Sequence, residues 1–524
     1  MIKINSKNIV FKLILILTVV TSEVAFARIE TEPTDFLAGA KRQVSRVENE
    51  VVSVWQKAFV LKEAGKYTVA FRAKFQIKDP IHFTWLALEK SLYLENLTLN
   101  GEAVPIPIEG MSYKTIPAIP ASMLKKGSNE LRGTWIQGIK TQKDEKTSKV
   151  SIISKKIRSA DVDVRLYGVE LSALAFQTGP ILGYAGENMF TVTCRVNMPA
   201  EVVLEVNNRQ YISKPALLHS FKVEGLTADT QYEYSLKTRF SSKDDFIASV
   251  GPYSMRTLAG GEQFVFTILG DSRSYPKDWE RVAAAVTTKK PAFSVFVGDM
   301  VSRGRRDHEW DEQYFGPAKD FFATIPYYAV IGNHEQDCPL FTQISPTPGG
   351  KNWLQKIGSV LLIGIDGAMD WSDGSDLTNW LEDILANSNA KFIFLANHYP
   401  AWTSGGHGKI KDGHPRERGV RFSQEVIMPL LEKYNATAMF AGHDHFYERS
   451  EPGKGVSMII TGGSGAPLYS KSSNAKKQNP YSTVFEKKHH YCILTVDGDI
   501  CTMKVFTPDN EVIDTRSWTA RKGQ

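Results

Sequence analysis

Five short apolar runs in the second half of this chain each stop on polar residues of metal-ligand type. FVFTILG ends at Asp271, FSVFVG at Asp299, YYAVIGN at Asn333 and His334, KFIFLAN at His398, and ATAMFAG at His443, Asp444 and His445. Runs of this length, rich in Val, Ile and Phe, predict buried strands. Between them lie helical stretches such as WERVAAAVTTKK, LTNWLEDILANSN and FSQEVIMPLLEKYN, which together with the strands make the pattern of an α/β domain. In open α/β sheets ligands gather beyond the carboxyl ends of the strands, so the five segments aim their polar residues at one rim.

The residue types restrict what that rim can hold. Carboxylate and amide oxygens with imidazole nitrogens suit zinc, manganese, iron or magnesium, whereas copper(I) and iron-sulfur sites want thiolates. Five segments offer more ligands than one tetrahedral ion can use. One carboxylate bridging two ions about 3.5–4 Å apart uses them well, because such a pair clamps both the attacking and the leaving oxygen at phosphorus.

Gly270-Asp271, Gly298-Asp299, Gly332-Asn333-His334-Glu335, Asn397-His398 and Gly442-His443-Asp444-His445, in that order, resemble the motifs of calcineurin-like metallophosphoesterases. GHDHFYERS from Gly442 to Ser450, followed by TGGSGAPLY from Thr461 to Tyr469, is similar to the purple acid phosphatase branch. The resemblance implies one metal on Asp271, Asp299 and His445, and another on Asp299, Asn333, His398 and His443. It implies a bridge at Asp299, a metal-held hydroxide as nucleophile and no covalent enzyme intermediate. His334 would orient the phosphoryl group or protonate the leaving oxygen, since imidazole can hold or give a proton near neutrality.

Two departures stand out. The first motif reads Asp271-Ser272-Arg273, without the His that many family members carry two residues after the Asp. The tyrosine that purple acid phosphatases place three residues after the bridging Asp is Ser302 here. Water, Ser302 or a residue of another loop could complete the first site, and no tyrosinate colour is expected.

Further residues have two readings each. Arg273 points at a phosphate, as a guanidinium fork suits, or forms a structural ion pair. His407, in the Gly-rich loop SGGHGKIKDGH, lines a substrate pocket or is a solvated loop histidine, and His414 has the same two readings. His308, in a basic stretch, reads as surface. Glu448 and Arg449 brace the histidines or form an ordinary ion pair.

Lys3, Lys7 and Lys12 with the apolar stretch Phe11 to Val20 and the small-residue site Val24-Ala25-Phe26-Ala27 predict a signal peptide, residues 1–27, cleaved near Ala27. The stretch falls short of the ~20 residues that span a bilayer, and no later segment reads as transmembrane, so the expectation is a periplasmic or secreted protein. The net charge of +6 is mild for 524 residues and gives no reason to expect nucleic acid as partner. Four cysteines, Cys194, Cys338, Cys492 and Cys501, could pair in three ways. Cys492 and Cys501 would not face each other across a turn at Asp497-Gly498, and Cys194 reads as a buried thiol.

Residues 28–168 alternate apolar and polar positions in short runs, with turn signals at Asn100-Gly101 and Lys126-Gly127, which predicts a β-sandwich. LTLNGEAVPI and IPASMLKKGSNELRGTW are similar to jelly-roll modules of glycan-active enzymes, with Trp85 and Trp135 either core residues or stacking platforms for a glycan. Residues 169–258 resemble a fibronectin type III domain through GLTADTQYEYSLKT, in which Tyr232 would close the corner of a second sandwich. After a hinge at Leu258-Ala259-Gly260-Gly261 comes the metallophosphoesterase domain, residues 262–519, for which the resemblance implies two central sheets between helices, four layers in all.

The expected function is an exported phosphomonoesterase dependent on two divalent or mixed-valence ions (zinc, manganese, iron or magnesium). The same site would serve a phosphodiesterase or a nucleotide pyrophosphatase. A reading of another class is a glycan-binding surface protein with an inactive phosphoesterase domain.

Overall fold

The structure, a computed structural model, describes residues 41–521 apart from positions 48–57, 62–64, 78–82, 93, 105, 109, 140, 144–149, 153–154, 159–163, 170, 336, 346, 348 and 454. The expected signal peptide and the side chains of Trp85 and Trp135 lie outside the described residues. Among the described residues no helix is long and apolar enough to cross a membrane.

Before residue 170 the chain is built from antiparallel strands. Lys41–Val47, Gly65–Ile77, Gly127–Ile139, Leu94–Leu99 and Glu102–Ala103 form one sheet in that order, and Val164–Val169, Phe83–Leu92 and Tyr113–Pro120 form another. The expected turn is present, with Asn100 at φ 55° and Gly101 at φ 89°. Two successive positive φ values give the backbone twist that joins adjacent antiparallel strands, and Asn-Gly tolerates both.

The next region turns on one long strand, Met189–Val206. Its first part pairs with Phe176–Ala185 and Ala216–Glu224, its last part with Arg209–Ile212 and Gln231–Arg239. The Tyr232 hydroxyl accepts the Thr227 N–H at 2.9 Å, the local bond that a tyrosine at such a corner makes.

Beyond Gly261 the predicted strands appear where the apolar runs lie. Tyr327–Ala329, Phe293–Phe296 and Gln263–Leu269 are parallel neighbours, and antiparallel Tyr491–Asp497, Ile500–Phe506 and Val512–Thr519 extend that sheet. The second sheet runs Trp353–Ile357, Val360–Gly364, Phe392–Ala396, Ala438–Ala441, Ser457–Thr461, Tyr447–Ser450 and Ser482–Glu486. Period-two alternation explains how the layers assemble. Phe392, Phe394 and Ala396 join Phe266, Ile268, Val295 and Phe440 between the sheets, where the Phe266 and Phe394 rings lie 5.9 Å apart. The intervening Ile393 and Leu395 face outward with Met439 onto Leu381, Leu385 and Leu431 of the helices Asp376–Ala386 and Met428–Lys433. On the other side Trp279, Val282 and Val286 of helix Pro276–Lys289 cover Leu269 and Phe296. Each fully buried aromatic of this set contributes about 1.5–3 kcal/mol by leaving water.

The parts touch through polar contacts. Arg195 forms a buried ion pair with Asp307 at 2.5 Å, and Tyr328 donates to the Ala185 carbonyl at 2.7 Å. Ser112 donates its N–H to the Arg305 carbonyl at 2.7 Å and accepts the Asp307 N–H at 3.0 Å. The four cysteines are buried thiols, and Cys492 faces Val505 while Cys501 faces Val496 in the ladder.

Candidate metal centre

The five ligand-bearing segments come from both sheets: three strands of one and two of the other end at the same place. Tight backbone approach makes this possible. A Cβ on Gly442 would stand 2.1 Å from Asp271 Oδ2, and one on Gly332 would stand 2.3 Å from Asp299 Oδ1. Asp271, Asp299 and His443 themselves sit at φ 58°, 57° and 75°. Left-handed backbone at non-glycine residues costs of order 1–3 kcal/mol each and persists only where the surroundings dictate it, which is a mark of working sites.

Among the described residues His407, Glu417 and His443 form one group of possible metal donors, and two further groups share Asp299. Asp271, Asp299 and His445 form the first of these two, Asp299, His398 and His443 the second, with the atoms of each group within 4.8 Å of one another. The Asn333 Oδ1 lies 2.9 Å from His398 Nε2 and joins the second. His398 Nε2 is 3.3 Å from Asp299 Oδ1 and 3.2 Å from His443 Nδ1, and His445 Nε2 is 3.5 Å from Asp271 Oδ1.

The far nitrogen of each ring is already engaged. His398 Nδ1 meets the Val297 carbonyl at 2.9 Å, His445 Nδ1 the Pro467 carbonyl at 2.7 Å, and His443 Nε2 the Glu417 carboxylate at 2.7 Å. A ring that donates outward keeps its inward lone pair free, the form that binds a metal. Burial favours the same neutral form: His443 is pushed down to about 4 and His445, by burial and then by Arg273, to about 3. Burial also raises Asp271 well above the usual carboxylate range, with Asp299 adding to it. For Asp299 burial works upward too, but His398, His334 and His443 outweigh it and hold it low. Packed carboxylates facing unprotonated imidazoles fit a divalent cation in the second group, which has four protein donors. The first group has three, and Ser302 does not complete it: its hydroxyl bonds Gln313 Oε1 and Ser274 Oγ, each at 2.9 Å.

The remaining candidates divide. His334 Nδ1 meets the Ser302 carbonyl at 2.7 Å and its Nε2 stands 3.8 Å from Asp299 Oδ2, so a free nitrogen edges the centre. Arg273 is within the site, its Nε 3.4 Å from Asp299 Oδ2. His407 is too: its ring centre is 3.8 Å from that of His443, and its Nδ1 is 2.7 Å from Glu417 Oε1. His414 is exposed on Glu425, away from the centre. His308 is half-buried in the short helix Asp307–Glu309, whose Asp307 N–H donates to the Ser112 carbonyl, and it is in none of the donor groups. Arg449 forms ion pairs with Asp514 and Glu451. Glu448 makes no hydrogen bond to a histidine among the described residues; it accepts from the Ser404 N–H at 2.8 Å and from the Ser404 hydroxyl.

Three residues at the centre had no role assigned from the sequence, although two of them close motifs quoted above. Glu417 lies between Arg416 and Arg418 in a polar loop, and it joins His407 to His443. Tyr469 ends TGGSGAPLY and stacks on His445 with ring centres 4.0 Å apart. Glu335, seen only as the end of a motif, accepts four backbone N–H bonds, from Asp299, Gly332, Met300 and Val301.

Residues 264–447 match the family model of calcineurin-like phosphoesterases. Tartrate-resistant acid phosphatase type 5 of Mus musculus is 23% identical over 219 residues, which cover 35% of this chain and 64% of that protein. The Homo sapiens protein of the same name is 24% identical over 216 residues, covering 36% and 63%. The chain thus spans less than two thirds of the length of these curated relatives. The purple acid phosphatase PPD1 of yellow lupin superposes with a TM-score of 0.59 over 91% of this chain and 96% of its own, at 15% identity. Within residues 264–447, which match the calcineurin-like phosphoesterase model, the described residues bring two possible ligand groups onto the shared Asp299, on a fold like that of the purple acid phosphatase PPD1.

Proposed function

We propose that the protein hydrolyses phosphate monoesters at the rim where Asp271, Asp299, Asn333, His398, His443 and His445 meet. The observation that carries this reading is the pair of donor groups sharing Asp299. Divalent ions held there would supply positive charge for the phosphoryl oxygens and water of lowered pKa, so that phosphorus is attacked without a covalent enzyme intermediate. Asp299 reaches both groups because Glu335 and the His334 N–H, 3.0 Å from its Oδ1, fix its loop. His334, held by the Ser302 carbonyl, turns Nε2 to the centre and gives a proton to the leaving oxygen. Arg273 and His407 line the same space and meet phosphoryl oxygens.

The region architecture belongs to this reading. Residues 28–168 are taken as a jelly-roll-like sandwich open to a glycan, residues 169–258 as a fibronectin type III-like sandwich, and residues 1–27 as an export signal. The deciding experiment is hydrolysis of p-nitrophenyl phosphate and of its bis-ester across pH, with metal content measured on the same sample. Faster turnover of the monoester, abolished in Asp299→Ala and in His398→Ala, supports the proposal. Preference for the bis-ester makes it a diesterase, and no turnover with zinc, manganese, iron or magnesium overturns it in favour of an inactive domain.

A further inference from the structure

The two donor groups that share Asp299 are unequal, and Arg273 accounts for the difference. The second group offers four protein donors, the first three, and the hydroxyl at the place of the expected extra ligand is turned to Gln313 and Ser274. A cation already stands beside the first group. Arg273 Nε is 3.4 Å from Asp299 Oδ2, and one terminal nitrogen of the guanidinium is 3.4 Å from His445 Nε2. Those are two of the three atoms that would bind the first ion.

The arrangement is not a saturated structural ion pair. The terminal nitrogens reach Ser274 Oγ at 3.3 Å and the Tyr469 hydroxyl at 3.5 Å, both long, and the buried Nε makes no hydrogen bond among the described residues. A guanidinium with donors to spare, fixed beside a bridging carboxylate, repels an incoming divalent ion and can itself face phosphoryl oxygens.

We infer that Arg273 acts as the positive charge of the first site: the chain holds one ion tightly, on Asp299, Asn333, His398 and His443, and admits a second only weakly. This rests on the metal-site reading given above, and its test separates the two.

Purified chain, stripped with a chelator, is titrated with zinc by calorimetry, and the ion content after desalting is measured by mass spectrometry. The expected result is one retained ion per chain and a second event at least about tenfold weaker, the scale of one nearby unit charge. Arg273→Gln removes the charge and keeps much of the length; it should strengthen the second event and raise retention toward two ions. Arg273→Lys keeps the charge and should behave as the parent. Two equally tight ions in the parent, or an Arg273→Gln titration identical to it, overturns the inference and leaves the metal reading standing. No bound ion at all overturns both. Where the Gln variant fails to fold, which near-ultraviolet circular dichroism would show, Arg273→Met makes the same comparison, and a second event as weak as the parent's overturns the inference.

Discussion

The Glu335 Oε2 accepts the backbone N–H of Asp299 at 2.8 Å, and with three further N–H groups it pins the turn that carries the shared carboxylate. Burial, and then the charge of Asp299, push Glu335 up, while the backbone N–H bonds pull the other way and favour the ionised carboxylate that accepts them. Glu335→Gln places an amide NH2 against one pair of backbone donors. Two buried N–H groups then lose their acceptor, at about 1–3 kcal/mol each. The expected outcome is a loss of about 2–6 kcal/mol in denaturant unfolding, with metal binding weakened because Asp299 is no longer held. Unchanged stability would show that the turn is fixed by other contacts.

Glu417 holds His443 from the side facing away from the centre, at 2.7 Å. The two histidines it serves outweigh the upward effect of its burial and keep it ionised well below the usual carboxylate range. Removing such an outer partner of a metal-binding histidine costs about 10–100-fold in metal affinity. Glu417→Ala should show this in competition with a chromophoric chelator, and affinity equal to the parent's would make the carboxylate a surface ion pair with no bearing on the site.

No strong visible band is expected when the protein is loaded with ferric iron. Ser302 stands where a tyrosinate would, and its hydroxyl serves Gln313. The nearby phenol of Tyr469 is raised by burial, which disfavours the tyrosinate, and its hydroxyl lies 3.5 Å from Arg273. An absorbance spectrum of the iron-loaded protein checks this, and an intense charge-transfer band lost in Tyr469→Phe would assign Tyr469 as a ligand.

The strand ends and the donor residues gathered at them were legible because each apolar run is short, β-branched or aromatic, and followed at once by its polar residues; local sequence carries both the element and the residues that meet at its end. Tyr232 was legible for a similar reason, since its partner Thr227 lies five positions away. Glu417 was not, because its meaning comes from His443, 26 residues later on another strand end. Glu448, with two open readings, lies three residues beyond His445 in the strand Tyr447–Ser450 and meets the Ser404 N–H and hydroxyl, partners 44 positions earlier in the sequence. Arg273 had two open readings, and only its placement between Asp299 and His445 gives it a charge to replace.

His334→Ala should lower kcat by about 10²–10⁴, the usual worth of a positioned proton donor, while metal content stays near that of the parent. Its Nε2 edges the centre at 3.8 Å from Asp299 Oδ2 and belongs to none of the donor groups. Parallel measurement of turnover and bound metal is the check, and loss of both together would make His334 a ligand.

His490 provides a pH test on a ring that belongs to none of the donor groups. It is fully buried, its Nδ1 2.9 Å from the Lys488 carbonyl and its Nε2 3.1 Å from the Thr461 hydroxyl, and burial pushes it down to about 4. Those partners suit the neutral ring, with Nδ1 donating and Nε2 accepting. In the unfolded chain the same ring titrates near 6.5. Because the folded value is depressed, its contribution is fully present above pH 6.5 and is lost as pH falls from there toward 4, where the unfolded state takes the proton first. The difference between 6.5 and 4 corresponds to about 3 kcal/mol. His490→Gln cannot take that proton, so its stability, measured by urea unfolding at a series of pH values, should fall less steeply than the parent's across this window. Parallel curves for the two proteins would mean that the ring is protonated without cost in the folded state and that its burial has been misjudged.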